Sequence, residues 1–272
     1  MQSHHIHPEL LRQKVRVLVI GCGGNGSAIA AGLPYLHQAL LAYGHPEGVH
    51  VTLLDPEIIS PTNCVRQPFS RSEIGLYKSV VLANRLNLFW GLDWEGIPER
   101  LDVKRRLDGV DIVIGCVDTR AARAAIAKCA GDWSEVDYWL DLGNNADSGQ
   151  FVLGEPRNRR NRRRGLRLRT VSELFPEVIE GEFDRDNLPS CSAIEALDRQ
   201  QPFVNPALAN HALGPACSAV SIRDDLLSRR IRQYFVDRCC AGYAHRPEML
   251  ATIAQPVDKK NSSSLAGKSL QL

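Results

Sequence analysis

Residues 15–26 read VRVLVIGCGGNG, and this stretch decides the fold class. Val15–Ile20 is a run of mostly apolar, β-branched residues, which predicts a strand that is buried on both faces. Residues 21–26 form a glycine loop, and the alanine- and leucine-rich residues 27–43 predict a helix that Pro34 kinks or divides. Glycine lets a phosphate approach the backbone closely, and a helix N-terminus favours negative charge. Strand, glycine loop and helix in this order therefore predict a nucleotide-binding unit.

Strand and helix patterns alternate through the first half of the chain. Further strands are predicted at residues 49–54, 110–117, 138–142 and 150–153, and further helices at residues 72–89 and 119–130. This alternation predicts right-handed crossovers and an α/β fold, a Rossmann-like, mostly parallel sheet with helices on both faces. The C-terminal half is irregular by comparison. Its residues 205–227 predict a helical region that is interrupted near Gly214 and Pro215.

The composition restricts the class of protein. The chain has 272 residues, 44% of them hydrophobic, and a formal net charge of only +2, so its overall charge indicates neither a nucleic-acid nor a membrane partner. No apolar run approaches the roughly 20 residues of a spanning helix, and the N-terminus does not resemble a secretory signal, so we expect a cytoplasmic protein. The eight cysteines form no CxxC pair, which argues against a zinc site with paired ligands.

Polar side chains with the chemistry of a triphosphate site follow the predicted strands. Asp55, directly after the second strand, can accept hydrogen bonds from ribose hydroxyls. Asp118 follows a later strand at the same carboxyl edge and can hold magnesium. The segment between them supplies two cations, Arg66 and Lys78, and two neutral donors, Asn63 and Gln67. An enzyme that activates a carboxylate with ATP needs such groups against the charge that develops at phosphorus, whereas hydride transfer from NAD does not.

Taken together, these motifs resemble the ThiF/MoeB/HesA superfamily, which includes ubiquitin-activating enzymes. Over about residues 15–145 the chain matches the superfamily pattern in order, with GCGGNG, Asp55, SPTNCVRQ, GLYK and GCVD. The segments DNLPSCSAIEAL at 186–197 and QPFVN at 201–205 are most similar to the ThiF-type proteins of bacterial PRTRC-system gene clusters.

The resemblance implies ATP-dependent adenylation of the C-terminal carboxylate of a ubiquitin-like or sulfur-carrier protein, with ATP and Mg²⁺ as cofactors and a homodimer as the assembly. Asp55 would bind the ribose, and Asp118 would bind magnesium and position the reaction. The residues implied to lie around the phosphates are Gly21, Gly23, Gly24, Gly26, Asn63, Arg66, Gln67 and Lys78.

Three features depart from the superfamily pattern. Glu57 stands where a second aspartate is usual, and Thr119 and Arg120 replace the usual residues after the catalytic aspartate. The N-terminal Arg-Tyr-x-Arg-Gln motif, which supplies an arginine across a dimer, is missing, and Arg12 is a poor substitute for it. An arginine contributed by a second subunit is therefore in doubt.

Cys191 is the candidate for a thioester step after adenylation. It lies in the irregular stretch LPSCS ahead of a predicted helix, whose N-terminus would lower the pKa of the thiol. A structural cysteine in a loop is the alternative. Cys22, Cys64 and Cys116 lie inside the nucleotide motifs and are expected to be packing residues.

The resemblance and the composition together predict five segments. They are an N-terminal tail (1–14), an adenylation domain (15–155), a basic crossover insertion (156–185), a partner-binding part of the same domain (186–255) and a polar, disordered tail (256–272).

Two basic features and two rival functions stay open. The arginine-rich residues 157–169 predict a solvated or disordered insertion, ahead of a docking surface for an acidic protein and of a nucleic-acid site. His4, His5 and His7 could chelate a metal but are expected to lie in a disordered tail. An NAD(P)-dependent oxidoreductase that uses the same glycine loop, and a non-catalytic nucleotide-binding adaptor, are the rival functions.

Overall fold

The computed structural model describes residues 6–144, 148–164, 167–180 and 202–220. Its centre is one six-stranded sheet of strands β1 (Val15–Ile20), β2 (Val49–Leu54), β3 (Glu95–Ile97), β4 (Ile112–Gly115), β5 (Tyr138–Asn144) and β6 (Gly149–Gly154). The spatial order is β3-β2-β1-β4-β5-β6, and all neighbours are parallel except β5 and β6. The prediction of a Rossmann-like, mostly parallel sheet is confirmed.

Helices cover both faces of this sheet. They are α1 (Gly24–Ala42), α2 (Asn63–Arg66), α3 (Lys78–Trp90), α4 (Arg120–Cys129), α5 (Val171–Leu174) and α6 (Val204–Val220). Short 3-10 helices lie at Pro8–Leu11, Arg71–Glu73, Asn161–Arg163 and Pro176–Ile179. Within the described ranges, no helix combines the length and the apolar character needed to cross a bilayer.

The alternation of side chains along β1 separates two cores. Val17 and Val19 lie in the larger core with α1, α3 and α6, whereas Leu18 and Ile20 lie in the smaller core with α4 and α5. A strand buried on both faces has no polar side to alternate with, which is why its sequence is apolar almost throughout.

Two predicted helices differ from the observed ones: one begins later than predicted, and the other is not divided by its proline. The predicted helix at residues 72–89 begins only at Lys78. The capping box of Ser70 and Glu73 serves a single 3-10 turn, after which Gly75 takes a left-handed conformation with φ of 91°. In α1, Pro34 neither divides nor ends the helix.

Helix α6 also continues through a position at which a break was predicted. Helix α6 continues through Gly214 and Pro215 to Val220, and the rest of the predicted region lies outside the described residues. It packs on α1, where a Cβ on Gly32 would lie 2.4 Å from a methyl group of Leu213. This close contact between two helices supplies the burial that holds α6 in place.

The N-terminal residues and the arginine-rich stretch correct two predictions. His7 is buried, and its Nδ1 and Nε2 lie 3.0 Å from Asp137 Oδ1 and 3.3 Å from Glu155 Oε1. Arg160 Nε lies 2.6 Å from Asp137 Oδ1, and Arg164 Nε lies 3.0 Å from Glu155 Oε1. His7 is therefore not part of a disordered tail, and Arg160 and Arg164 neutralise two fully buried carboxylates. The other arginines between 157 and 163 are exposed, as a solvated stretch predicts.

Candidate functional site

Two glycines of the loop are needed for the loop's own packing. A Cβ on Gly26 would lie 1.7 Å from the carbonyl oxygen of Gly21. Gly21 has a φ of 91°, and a Cβ there would lie 2.7 Å from the carbonyl oxygen of Cys116. The close approach of the loop to itself and to the end of β4 thus explains both glycines without a ligand.

The two central glycines have different surroundings. A Cβ on Gly24 would lie 2.1 Å from Nδ2 of Asn205, so this glycine makes room for the first turn of α6. A Cβ on Gly23 would find only one described atom within 4 Å, Nε2 of Gln67 at 4.0 Å. Gly23 is also the N-cap of the 19-residue helix α1. The space beside Gly23 is therefore the part of the loop that can receive an anion.

Asp55 holds the end of β2 against the glycine loop. Its Oδ2 accepts a hydrogen bond of 2.5 Å from the backbone N–H of Cys22, and its Oδ1 accepts one of 2.7 Å from the N–H of Glu57. Burial raises the pKa of Asp55, and these hydrogen bonds oppose that shift. A carboxylate has about four lone-pair positions, so these two bonds leave acceptor capacity for the predicted contact with a ribose.

Lys78 is brought to the same edge as Asp55. Its side chain is only 3% exposed, and Nζ lies 2.5 Å from Oε2 of Glu57, whose side chain is 65% exposed. The backbone N–H of Lys78 also donates to the carbonyl of Glu57 at 3.0 Å. Glu57, where the superfamily usually has aspartate, therefore fixes the position of this buried cation.

The segment between Asp55 and Lys78 places Asn63, Arg66 and Gln67 on or beside α2. Oδ1 of Asn63 accepts hydrogen bonds from the N–H and the hydroxyl of Ser60, at 2.8 and 3.0 Å. Its side chain thus stabilises the turn that begins α2. Gln67 follows α2, and its Oε1 is buried without a hydrogen-bond partner in the described structure. Of the predicted phosphate ligands in this segment, Gln67 is the one that lies beside the open side of Gly23.

Asp118 is exposed in the turn between β4 and α4. The N-cap of α4 is Thr119, whose Oγ1 accepts a hydrogen bond from the N–H of Ala122 at 3.2 Å. Thr119, and not Asp118, therefore caps this helix. Arg120, one of the departures from the superfamily pattern, donates to the carbonyl of Glu177 at 2.6 Å and ties this turn to the segment after α5.

A buried ion pair lies behind the Asp118 turn. Nε of Arg123 contacts both carboxylate oxygens of Asp141, at 3.2 and 3.3 Å, and Nη2 donates to the carbonyl of Leu142. Burial raises the pKa of Asp141 to about 6, although Arg123 opposes the shift. The pair joins α4 to β5 and so holds the helix whose first residues follow Asp118.

The raised pKa of Asp141 predicts a pH dependence of stability. Because the folded protein binds this proton more tightly than the unfolded chain, the group stabilises the fold at low pH, and this contribution is lost as the pH rises through about 6. We expect the loss in free energy of unfolding between pH 5 and pH 7 to be smaller in Asp141→Asn than in the native protein by roughly 1 kcal/mol. Urea unfolding at the two pH values measures it; an equal loss in both proteins would contradict the shift.

Cys22 and Cys116, two cysteines of the nucleotide motifs, are not activated as nucleophiles. Burial raises the pKa of the Cys22 and Cys116 thiols well above the ordinary value, so both stay protonated near neutral pH. Cys64 lies on α2, with Sγ 3.7 Å from the carbonyl of Ser60. Cys191, the predicted thioester cysteine, lies outside the described residues.

Three asparagines at this edge were missed from the sequence. Nδ2 of Asn25 donates to Oδ1 of Asn144 at 2.9 Å, and Asn205 packs on Gly24. Asn25 could have been singled out as the polar residue inside the glycine loop. Asn205 lies in the QPFVN segment that carries part of the resemblance, but that segment gave no sign of a contact with α1. Asn144 carries no local signal, because it comes to α1 from more than 100 positions away.

Comparison with known proteins supports this description. Residues 9–139 match the model of the ThiF family, which supports the resemblance to the ThiF/MoeB superfamily. No curated protein matches the sequence significantly.

Solved structures show a similar fold. PaaA matches with a TM-score of 0.51 at 14% identity, over 79% of this chain and 67% of that one. E. coli MccB matches with a TM-score of 0.49 at 18% identity, over 78% and 56%. The E. coli tRNA N6-threonylcarbamoyladenosine dehydratase TcdA, solved with ATP, matches with a TM-score of 0.36 at 25% identity, over 44% and 48%. The chain thus spans about half the length of this TcdA structure.

Proposed function

We propose that this protein binds ATP and transfers its AMP moiety to a carboxylate of a protein partner. One observation carries the proposal. Apart from its chain neighbours, Gly23 has only Gln67 within 4 Å of a Cβ placed on it among the described residues, and it lies at the N-terminus of a long helix. The buried cation Lys78 lies at the same sheet edge. A helix N-terminus and a fixed cation are the groups that bind phosphates, and the ThiF family match covers all of them.

Each residue has a defined part in this reaction. The N–H groups that begin α1, with Gln67, Arg66 and Lys78, would hold the phosphates, while Asp55 would hold the ribose. A carboxylate oxygen of the partner forms a bond to the α-phosphorus as the bond to the bridging oxygen breaks. The electron pair of that bond leaves with pyrophosphate, and the product is an acyl-adenylate. Lys78 stabilises the charge that develops on the phosphate oxygens.

Magnesium fits the residues at this edge. The described residues hold no cluster of three or more potential protein ligands, and Mg²⁺ in nucleotide sites is ordinarily bound by one or two carboxylates together with phosphate oxygens. Asp118 is exposed and would supply such a carboxylate. When bound, the ion neutralises phosphate charge.

The finer assignment rests on the sequence resemblance. We infer that the partner is a ubiquitin-like or sulfur-carrier protein, that the chain belongs with the ThiF-type proteins of PRTRC clusters, and that it acts in the cytoplasm as a homodimer. Cys191 would then attack the acyl-adenylate through its thiolate, forming a thioester as AMP leaves. Cys191→Ala, which has no nucleophile, would stop at the adenylate.

ATP–pyrophosphate exchange tests the proposal. The purified chain is assayed with Mg²⁺ and a small protein with a glycine-ending tail from the same gene cluster. We expect exchange that requires this partner and falls at least about 100-fold in Asp118→Ala, because a transition-state contact is lost. Asp108→Ala, which removes an exposed carboxylate ahead of β4 at the opposite sheet edge, is the control and should retain activity.

Two other results would replace the proposal. ATP binding without exchange, in the presence of a folded partner, would indicate a nucleotide-binding adaptor. Binding of NAD but not of ATP would indicate an oxidoreductase that uses the same glycine loop.

A further inference from the structure

Three side-chain amides meet where α1 begins, and we call them the amide cluster: Asn25, Asn144 and Asn205. They come from the first turn of α1, the last residue of β5 and the first turn of α6. Asn25 and Asn205 are only 8% and 2% exposed. The cluster adjoins Gly24, the residue next to the open side of the glycine loop.

One polar atom of the amide cluster, Oδ1 of Asn25, is not satisfied by a hydrogen bond within the described parts of the chain. Nδ2 of Asn25 donates to Oδ1 of Asn144 at 2.9 Å, so the Asn25 amide is held in one orientation. Its Oδ1 is buried and has no hydrogen-bond partner in the described parts of the chain. A buried acceptor without a partner costs free energy, so its presence beside a binding edge points to a ligand that donates a hydrogen bond.

The position of the cluster separates it from the nucleotide contacts. Asp55, Glu57 and Lys78 lie at the ends of β2 and α3, on one side of β1. Asn144 lies at the end of β5, beyond β4 on the other side of β1. A ligand at the cluster would therefore approach the glycine loop from the side opposite to the ribose.

The chemistry of the cluster matches the end of a peptide chain. A side-chain amide offers one donor group and one acceptor, which complement the C=O and N–H of a peptide bond. The N-termini of α1 and α6, helices of 19 and 17 residues, both lie at the cluster and favour a negative charge. A terminal carboxylate preceded by a peptide N–H has both features.

We propose that the amide cluster binds the last peptide group of the partner's C-terminal tail and directs the terminal carboxylate towards Gly23. This inference rests on the proposed function, since it supplies the second substrate of the same reaction. The N–H of the last residue would donate to Oδ1 of Asn25, and the carboxylate would lie over the helix N-termini. Asn25 and Asn144 are then determinants of specificity for the tail.

Direct binding of a peptide tests this without any turnover. The probe is a fluorescein-labelled heptapeptide ending in Gly-Gly with a free carboxylate, and its C-terminal amide is the comparison. Fluorescence anisotropy with the full chain should show that the acid binds at least about tenfold more tightly than the amide, as loss of a charge-assisted contact predicts. Asn25→Ala and Asn144→Ala should each weaken binding of the acid by about tenfold. Both substitutions keep the backbone N–H groups that would bind the phosphates, so ATP affinity should not change.

The experiment includes a control variant, and each result that would contradict the proposal can be recognised. Asn210→Ala, an exposed asparagine on α6, should change neither affinity. If Asn25→Ala does not fold, Asn144→Ala decides, because Asn144 is only half-buried. Loss of ATP affinity instead of peptide affinity would assign the cluster to the nucleotide, and a lower melting temperature with unchanged peptide affinity would make it structural. Peptide binding without pyrophosphate exchange would overturn adenylation but not the cluster.

Discussion

Gly26→Ala is expected to prevent folding, whereas Gly23→Ala is expected to leave the fold intact and to weaken ATP binding. A Cβ at position 26 would lie 1.7 Å from the carbonyl oxygen of Gly21, a backbone atom that cannot move without displacing the end of β1. At position 23 the nearest described atom would be 4.0 Å away, and φ is −72°, which an L-residue adopts. The two substitutions therefore distinguish what folding requires at position 26 from what ligand binding requires at position 23.

Three measurements check this pair. Soluble yield and circular dichroism report folding, and calorimetric titration with ATP reports binding. We expect Gly26→Ala to be insoluble or unfolded, and Gly23→Ala to melt at the native temperature with ATP affinity reduced at least about tenfold, as one lost charged contact would give. A folded Gly26→Ala protein would contradict the packing of the loop. Native ATP affinity in Gly23→Ala would remove the main support for the nucleotide site.

Glu155→Ala is expected to be strongly destabilising, although Glu155 lies outside the glycine loop. Oε1 of Glu155 lies 3.0 Å from Nε of Arg164 and 3.3 Å from Nε2 of His7, and Oε2 accepts from the N–H of Leu168 at 2.7 Å. The carboxylate is fully buried, and its removal takes one contact each from Arg164, His7 and the N–H of Leu168. Breaking a buried ion pair on one side costs about 3–5 kcal/mol.

Asp132→Ala is the matched control for this change. Asp132 pairs with Arg162, another residue of the arginine-rich stretch, but both side chains are about 60% exposed. An exposed pair adds little to stability because solvent screens it. Urea unfolding should show a large loss for Glu155→Ala and no measurable loss for Asp132→Ala. Equal, small effects would mean that the arginine-rich stretch is solvated after all.

The local sequence correctly predicted the strands that are buried along most of their length. The bounds of β1 and β2 are those predicted, because a strand that is buried on both faces must be apolar along its length. The three-residue β3 was missed, since its sequence Glu-Gly-Ile has no apolar run. The start of α3 was misplaced because Ser72, a residue type that often precedes a helix, lies in a separate 3-10 turn that ends before Lys78.

The sequence by itself determined the fold class and the order of the nucleotide motifs, because strand burial, glycine turns and helix starts depend on residues that are neighbours in the chain. Only the tertiary structure decided which glycine has room beside it among the described residues, that Glu57 holds Lys78, and that His7 lies between two buried carboxylates. It also brought Asn205 to Gly24. These facts depend on which distant segments are packed together, and packing joins residues whose separation along the chain leaves no local pattern to read.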